Sequence, residues 1–145
     1  AVVSLALAGA AGVTIANRSL DTAQALAQLV AARLTQTALT TCGLDSLSDA
    51  GFTGSFDLVV NTTSVGMAGD SFAGFALSSL KPGASLYDMV YAPPVTPLLA
   101  QAGALGIPCA NGLAMLVAQG EAAFRIWTGA TAPKGCMEGA LAAPL

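Results

Sequence analysis

The stretch Asp57-Leu58-Val59-Val60-Asn61-Thr62-Thr63-Ser64-Val65-Gly66 decides how the rest of the chain is read. Asp57 to Asn61 is the clearest strand of the sequence: a short apolar run with β-branched residues, which suits a parallel sheet buried on both faces. At its exit stand hydroxyl residues and a glycine, Thr62 to Gly66, which let the backbone come close to a flat ligand. An ordinary polar turn has the same composition, so the loop alone leaves both readings open.

Working outward, the same alternation of short strand and polar exit recurs. Upstream, residues 1–8 read as the tail of a helix, and Gly9 and Gly12 make a short turn. Val13 to Ala16 is a second apolar, β-branched run. Ser19 can cap the helix that follows, and Asp21 in its first turn complements the helix dipole. Ala23, Leu26, Ala27, Val30 and Leu34 then recur at helical spacing as an apolar stripe. Ala38 to Cys42 forms a weaker strand, followed by a short helical turn near Leu44–Ala50.

Downstream, Ser85 to Tyr91 reads as a strand whose exit is punctuated by Pro93, Pro94 and Pro97. Thr96 to Ala104 is a helix ending at Gly106, Ile107 to Ala110 a last short strand, and Leu113 to Thr128 a long amphipathic helix. Strands separated by helical stretches indicate βαβ units. The fold class is therefore α/β: a doubly wound, Rossmann-like parallel sheet with helices on both faces.

Composition supports a packed domain. Hydrophobic residues make up 54% of the 145 and charged residues 9%, the opposite of a disordered chain. No apolar run approaches the roughly 20 residues of a membrane-spanning helix, so no membrane partner is expected. The opening AVVSLALAGA is apolar like the core of a signal peptide, but it lacks a basic flank and runs into a strand, which argues against that reading. A net charge of −3 without basic clusters argues against nucleic acid. Cys42, Cys109 and Cys136 are odd in number and widely spaced, which suits reduced thiols in a cytoplasmic protein and no structural metal.

In doubly wound sheets, ligands bind at the carboxyl ends of the strands. Four such exits are rich in polar or small residues: Asn17-Arg18-Ser19, Asn61 to Gly66, Asp88 to Tyr91, and Asn111-Gly112. At the second strand of a dinucleotide-binding fold, an acidic residue accepts from the free 2′-hydroxyl of NAD, whereas an arginine suits the 2′-phosphate of NADP. Arg18 fits that role, with Asn17, Ser19 and the free helix amides adding donors. A solvated surface arginine in a turn is the competing reading.

Met89 and Tyr91 lie two residues apart, so strand alternation places them on one face, as a ligand contact or as core. Asn111 can cap the last long helix. Gly112 lets the backbone approach a ligand, and Gln119, two turns on, falls on the same side. Its neighbours Leu116, Val117, Ala118 and Ala122 are apolar, so Gln119 reads as a polar group in a buried stripe that needs a partner, internal or bound.

A hydride transfer to or from an alcohol needs a group that moves the hydroxyl proton. The chain has no histidine, Lys81 and Lys134 sit in proline turns, and Asp88 has no evident basic partner. The glycine-rich turn that should precede the first helix is also missing, along with the first strand.

These residues match a known family in order and spacing. NRS at 17–19, DLVVNTTSVGM at 57–67, YDMVY at 87–91, the following P-x-T-P-L-L, and NGLAMLVAQGEAAFRIWTG at 111–129 resemble shikimate dehydrogenase. The resemblance spans Val13 to Gly129; NRS alone is weak, but YDMVY with the NGLxMLVxQ helix is specific. It implies reduction of 3-dehydroshikimate to shikimate by NADPH, on the route through chorismate to aromatic amino acids. It also implies that residues 1–145 are the C-terminal NADP-binding domain, with a catalytic lysine–aspartate pair in an absent N-terminal domain. No catalytic residue is then expected in this chain, which alone should be inactive.

The family's 2′-phosphate contacts fall on Asn17 and Arg18, beside Ser19. Its nicotinamide-side contacts fall on Thr63, Ser64, Val65, Met89 and Gly112, and its substrate contacts on Tyr91 and Gln119. The expected partner is the small-molecule substrate, in a monomer or homodimer. One departure bears on the cofactor. Asp21 and Thr22 stand where many NADP-using members carry a second basic residue, which leaves room for NAD or NADP use, as in quinate/shikimate dehydrogenases. A non-catalytic nucleotide-binding module is the alternative of another class, and retention of both Tyr91 and Gln119 counts against it.

Overall fold

A computed structural model describes residues 1–142. Its strands are β1 (Gly12–Ala16), β2 (Ala38–Cys42), β3 (Leu58–Asn61), β4 (Ser85–Asp88) and β5 (Cys109–Asn111). Its helices are α1 (Val2–Leu7), α2 (Leu20–Ala31), α3 (Ala50–Thr53), α4 (Pro97–Ala104), α5 (Leu113–Thr128) and α6 (Cys136–Ala142). β1 pairs with β2 in parallel, from Gly12 opposite Ala38 to Ala16 opposite Cys42. A second sheet has the order β3-β4-β5, with β4 and β5 parallel. The α/β class expected from the alternation of elements holds, although the strands are shared between two sheets.

Two compact units are distinguished, Ala1–Val60 with Phe72–Ser85, and Asn61–Ser71 with Leu86 onward. In the first, α2 starts where Ser19 supplies a cap: its Oγ accepts from the Thr22 amide at 3.4 Å and from the Thr22 hydroxyl at 2.9 Å. The helix packs on β1 and β2. Of its predicted stripe only Ala23 and Val30 are buried, while Leu26 stays 39% exposed. Two strands about 4.8 Å apart offer a surface narrower than a helix about 10 Å across, so only one line of side chains is covered. Leu77, in a 3-10 turn over Leu77–Ser79, and Thr53 at the end of α3 are the largest fully buried side chains of this unit. The Thr53 hydroxyl donates to the Leu47 carbonyl at 3.1 Å.

The core of the second unit is Leu86 and Val90 with Leu98, Leu99 and Ala102 of α4, and Val117 of α5. α4 begins at Thr96, whose Oγ1 accepts from the Leu99 amide at 3.3 Å, and Pro97 occupies its first turn with φ already helical. Two expected strands differ by more than one residue at an end. β4 stops at Asp88, three residues short of Tyr91, and β5 runs Cys109–Asn111 where Ile107–Ala110 was expected. In β4 the cause is local: the Asp88 carboxylate takes the Val90 amide at 3.1 Å and turns the backbone out of the ladder. α6 was not anticipated, and its alanine- and glycine-containing sequence carries no capping signal.

Candidate functional site

Four of the five strands end in one device. Asn17, Asn61, Asp88 and Asn111 stand at or one residue beyond the ends of β1, β3, β4 and β5. Each accepts, through Oδ1, the backbone N–H two residues on: Ser19 at 3.1 Å, Thr63 at 3.0 Å, Val90 at 3.1 Å and Leu113 at 3.1 Å. Such a turn satisfies an amide that has left the ladder and bends the chain at once. The polar exits singled out in the sequence are thus built alike. For Asn111 the role differs in detail from the one expected: the cap position of α5 is Gly112, which has no side chain to cap with, and Asn111 serves the first amide from one place earlier.

In the first unit, Asn17, Arg18 and Ser19 form one turn into the N-terminus of α2. Asn17 and Ser19 are engaged with the backbone and with Thr22. Arg18 is exposed and makes no ion pair or hydrogen bond among the described residues. Arg18 directly precedes the cap of a twelve-residue helix, and a cation with free helix amides close by in the chain is a charge arrangement that suits an anion. Asp21 and Thr22 lie in the first turn of the same helix, and Asp21 is also exposed. A 2′-phosphate fits this donor set, with Asp21 as the one opposing charge.

In the second unit, Thr63, Met67, Met89, Val90, Tyr91 and Ala92 line an open cavity of about 170 Å³. Ligand pockets run about 300–1,000 Å³, so this one has room for one end of a ligand. The lining is mostly apolar, with the hydroxyls of Thr63 and Tyr91 as its polar side-chain groups. Thr63, Met89 and Tyr91, chosen from the sequence, are brought together here. Met67, Val90 and Ala92 were not singled out, and nothing in their residue types would have marked them. Tyr91 is 44% exposed, and its hydroxyl has no hydrogen-bond partner among the described residues. Ser64 and Val65 belong to the same loop without lining the cavity; Val65 is held at both ends, its amide by the Thr63 hydroxyl at 3.0 Å and its carbonyl by Asn61 Nδ2 at 3.0 Å.

Beneath these loops lies a buried polar network that the sequence reading did not place in the site. Asp88 is fully buried. Its Oδ1 accepts from Asn61 Nδ2 at 2.9 Å and from the Val90 amide, and its Oδ2 accepts from the Thr96 hydroxyl at 2.6 Å. All these donors are neutral. Gly66 closes the loop with φ +104°, and a Cβ there would come within 3.0 Å of the Thr96 side chain. The signal was present in the sequence, since a polar residue ends each of two otherwise apolar strands. Their mutual contact was not visible, because it joins residues 27 positions apart.

One expectation gains a structural cause and one changes. At Gly112, expected to let backbone approach a ligand, a Cβ would also fall on the Met89 carbonyl, and its amide donates to the Val90 carbonyl at 3.2 Å. The glycine is required first by the packing of the β5 exit against the β4 exit. Gln119 was read as a polar group in a buried stripe, but it is exposed, as are Ala118 and Ala122. α5 buries only Val117, so Gln119 needs no internal partner and makes none among the described residues. Burial, ahead of a Ser46 hydrogen bond that pulls the other way and a further push from Asp45, raises the Cys42 thiol pKa above the ordinary value, which lowers its thiolate fraction.

Parallel strands, covering helices and polar turns at the strand exits define a Rossmann-like α/β class of domain. Residues 112–142 match the model of the shikimate 5'-dehydrogenase C-terminal domain. A shikimate dehydrogenase (NADP(+)) of Citrifermentans bemidjiense is 66% identical over all 145 residues, which make up 50% of that relative. One of Geobacter sulfurreducens is 48% identical, with 100% of this chain and 51% of that relative covered. Among solved structures, quinate dehydrogenase from Corynebacterium glutamicum in complex with NAD superposes with a TM-score of 0.84 at 28% identity, covering 96% of this chain and 49% of that one. Shikimate 5-dehydrogenase from Thermus thermophilus in complex with NADP(H) and shikimate gives 0.73 at 31% identity, covering 94% and 47%. Over its whole length the chain is similar to shikimate dehydrogenases, and it spans about half the length of the curated relatives it matches.

Proposed function

We propose that residues 1–145 are the NADP-binding domain of a cytoplasmic shikimate dehydrogenase, which reduces 3-dehydroshikimate to shikimate with NADPH. The observation that carries this reading is 66% identity across the whole chain to a protein named for that activity. Asn17, Arg18 and Ser19 hold the 2′-phosphate of the cofactor. Thr63, Ser64, Val65, Met89 and Gly112 form the nicotinamide side, with Tyr91 and Gln119 offering free polar groups to the substrate. The bound cofactor supplies the hydride. The proton-moving group comes from outside these residues, since the buried carboxylate of Asp88 is committed to three neutral donors.

Arg18→Leu in the full-length enzyme tests the cofactor assignment. A charge-assisted arginine–phosphate contact is worth roughly 1.5–3 kcal/mol, so KM for NADP should rise about ten- to hundredfold while KM for NAD barely moves. Equal effects on both cofactors would remove Arg18 from the site. Purified residues 1–145 should form no NADPH from shikimate and NADP.

A second reading is a quinate/shikimate dehydrogenase that uses NAD as well. It is favoured by exposed Asp21 in the first turn of α2, a charge that opposes a phosphate, and by the likeness to a quinate dehydrogenase in complex with NAD. Comparing quinate with shikimate, each with both cofactors, separates the two.

A further inference from the structure

We infer that Asp88 is a positioning residue: with Asn61 and Thr96 it forms a buried lock that sets the Thr62–Gly66 and Met89–Tyr91 loops in register with each other. The inference rests on the proposed dehydrogenase function for its consequence, and on geometry alone for its mechanism.

One carboxylate reaches three separate segments. Through Oδ1 it holds Asn61, at the start of the first loop, and the Val90 amide within the second. Through Oδ2 it holds Thr96, which caps α4 and abuts Gly66 at the far end of the first loop. Asn61 extends the reach: its Nδ2 also donates to the Val65 carbonyl, and its Oδ1 accepts from the Thr63 amide and hydroxyl. Both walls of the cavity, Thr63 on one side and Met89 to Tyr91 on the other, therefore hang from a single buried group. Deep burial makes the three bonds to Asp88 costly to leave unmade, so the lock has one arrangement rather than several.

A group serving only the hydrophobic core would need no such wiring. An apolar side chain could line the same space, whereas a carboxylate offers acceptors at both oxygens and can hold several donors in fixed directions. Misplacement of reacting groups by about 1 Å can cost on the order of a hundredfold in rate, and the lock controls displacements of that size at the mouth of the cavity.

The test compares Thr96→Val with Thr96→Ser, and adds Asp88→Asn, in the full-length enzyme. Valine keeps the shape of threonine and loses the bond to Asp88; serine keeps the bond and loses a methyl group. Hydrogen exchange followed by mass spectrometry reads the mechanism without any activity. Thr96→Val and Asp88→Asn should speed exchange in peptides covering 61–66 and 89–92, leaving peptides covering α2 unchanged; Thr96→Ser should resemble the unmutated protein. Steady-state kinetics read the consequence: Thr96→Val should lower kcat for shikimate oxidation by about ten- to a hundredfold, with Thr96→Ser recovering most of it. Exchange rising throughout the protein, or equal losses for valine and serine, would make the network merely structural and overturn the inference. Inactivity of the unmutated enzyme would instead sink the proposed function, and the exchange arm would still decide the lock.

Discussion

The Arg18 turn and the Asp88 network begin with the same Asx turn at a strand exit and then diverge. At the first, the side chain after the turn is exposed and its charged donors are unmatched among the described residues. At the second, every buried polar side-chain atom has a partner, and the charged group is an acceptor sealed from water. An unmatched exposed cation recruits a ligand and contributes little to folding, because water already satisfies it. A sealed carboxylate contributes nothing by direct contact with a ligand, but it decides where the neighbouring loops stand. On the proposed function, the same local motif serves recruitment in one place and shape in the other, and burial makes the difference.

Stability should separate the two regions most sharply. Asp88→Ala orphans the Val90 amide and loosens Asn61 and Thr96; at 1–3 kcal/mol per unsatisfied buried donor, a loss of about 3 kcal/mol is expected, read as a shift in the urea midpoint with m unchanged. A loss below 1 kcal/mol would mean water replaces the carboxylate readily, and the contrast with Arg18 would fail. Gly112→Ala follows, since its Cβ would meet a backbone oxygen that no side-chain rotation can move; a cost of about 2–3 kcal/mol is expected. Crystallography of that variant should find the β4 exit displaced at Met89.

Effects at the Arg18 turn should be smaller and of another kind. Ser19→Ala removes the cap of α2 and should cost about 1 kcal/mol, measured by thermal unfolding and leaving exchange at 89–92 unaffected. Arg18→Leu should change stability by no more than about 0.5 kcal/mol while still raising KM for NADP. If Arg18→Leu destabilised the fold as much as Asp88→Ala, the division between recruiting and shaping regions would be wrong. At the smallest scale, Thr22→Arg should tighten NADP relative to NAD by a fewfold, a direct comparison of the two Michaelis constants.

Much of this was legible without coordinates. Short apolar runs followed by polar or small residues marked the strands and their exits, because a buried strand must be apolar; only the end of β4 at Asp88 was passed over, the run being carried on to Tyr91. Ser19 and Thr96 marked the starts of α2 and α4, whose first amides need an acceptor. Overreach came where the number of covering neighbours mattered: the stripe of α2 and the flank of Gln119 looked buried by period alone, yet only Ala23, Val30 and Val117 are buried on those helices. Periodicity says which side chains share a face, not how wide a surface meets that face.

By itself, the sequence determined the α/β class, the family resemblance, the strand exits and the residues at each exit, because these depend on residue type and spacing along a few turns of chain. Tertiary structure alone decided that Asp88 binds Asn61 and Thr96, that Gly112 is a glycine because Met89 stands against it, and that Gln119 faces solvent. Each of those depends on which distant segments meet and on how much water their meeting excludes, and neither quantity is written in local pattern.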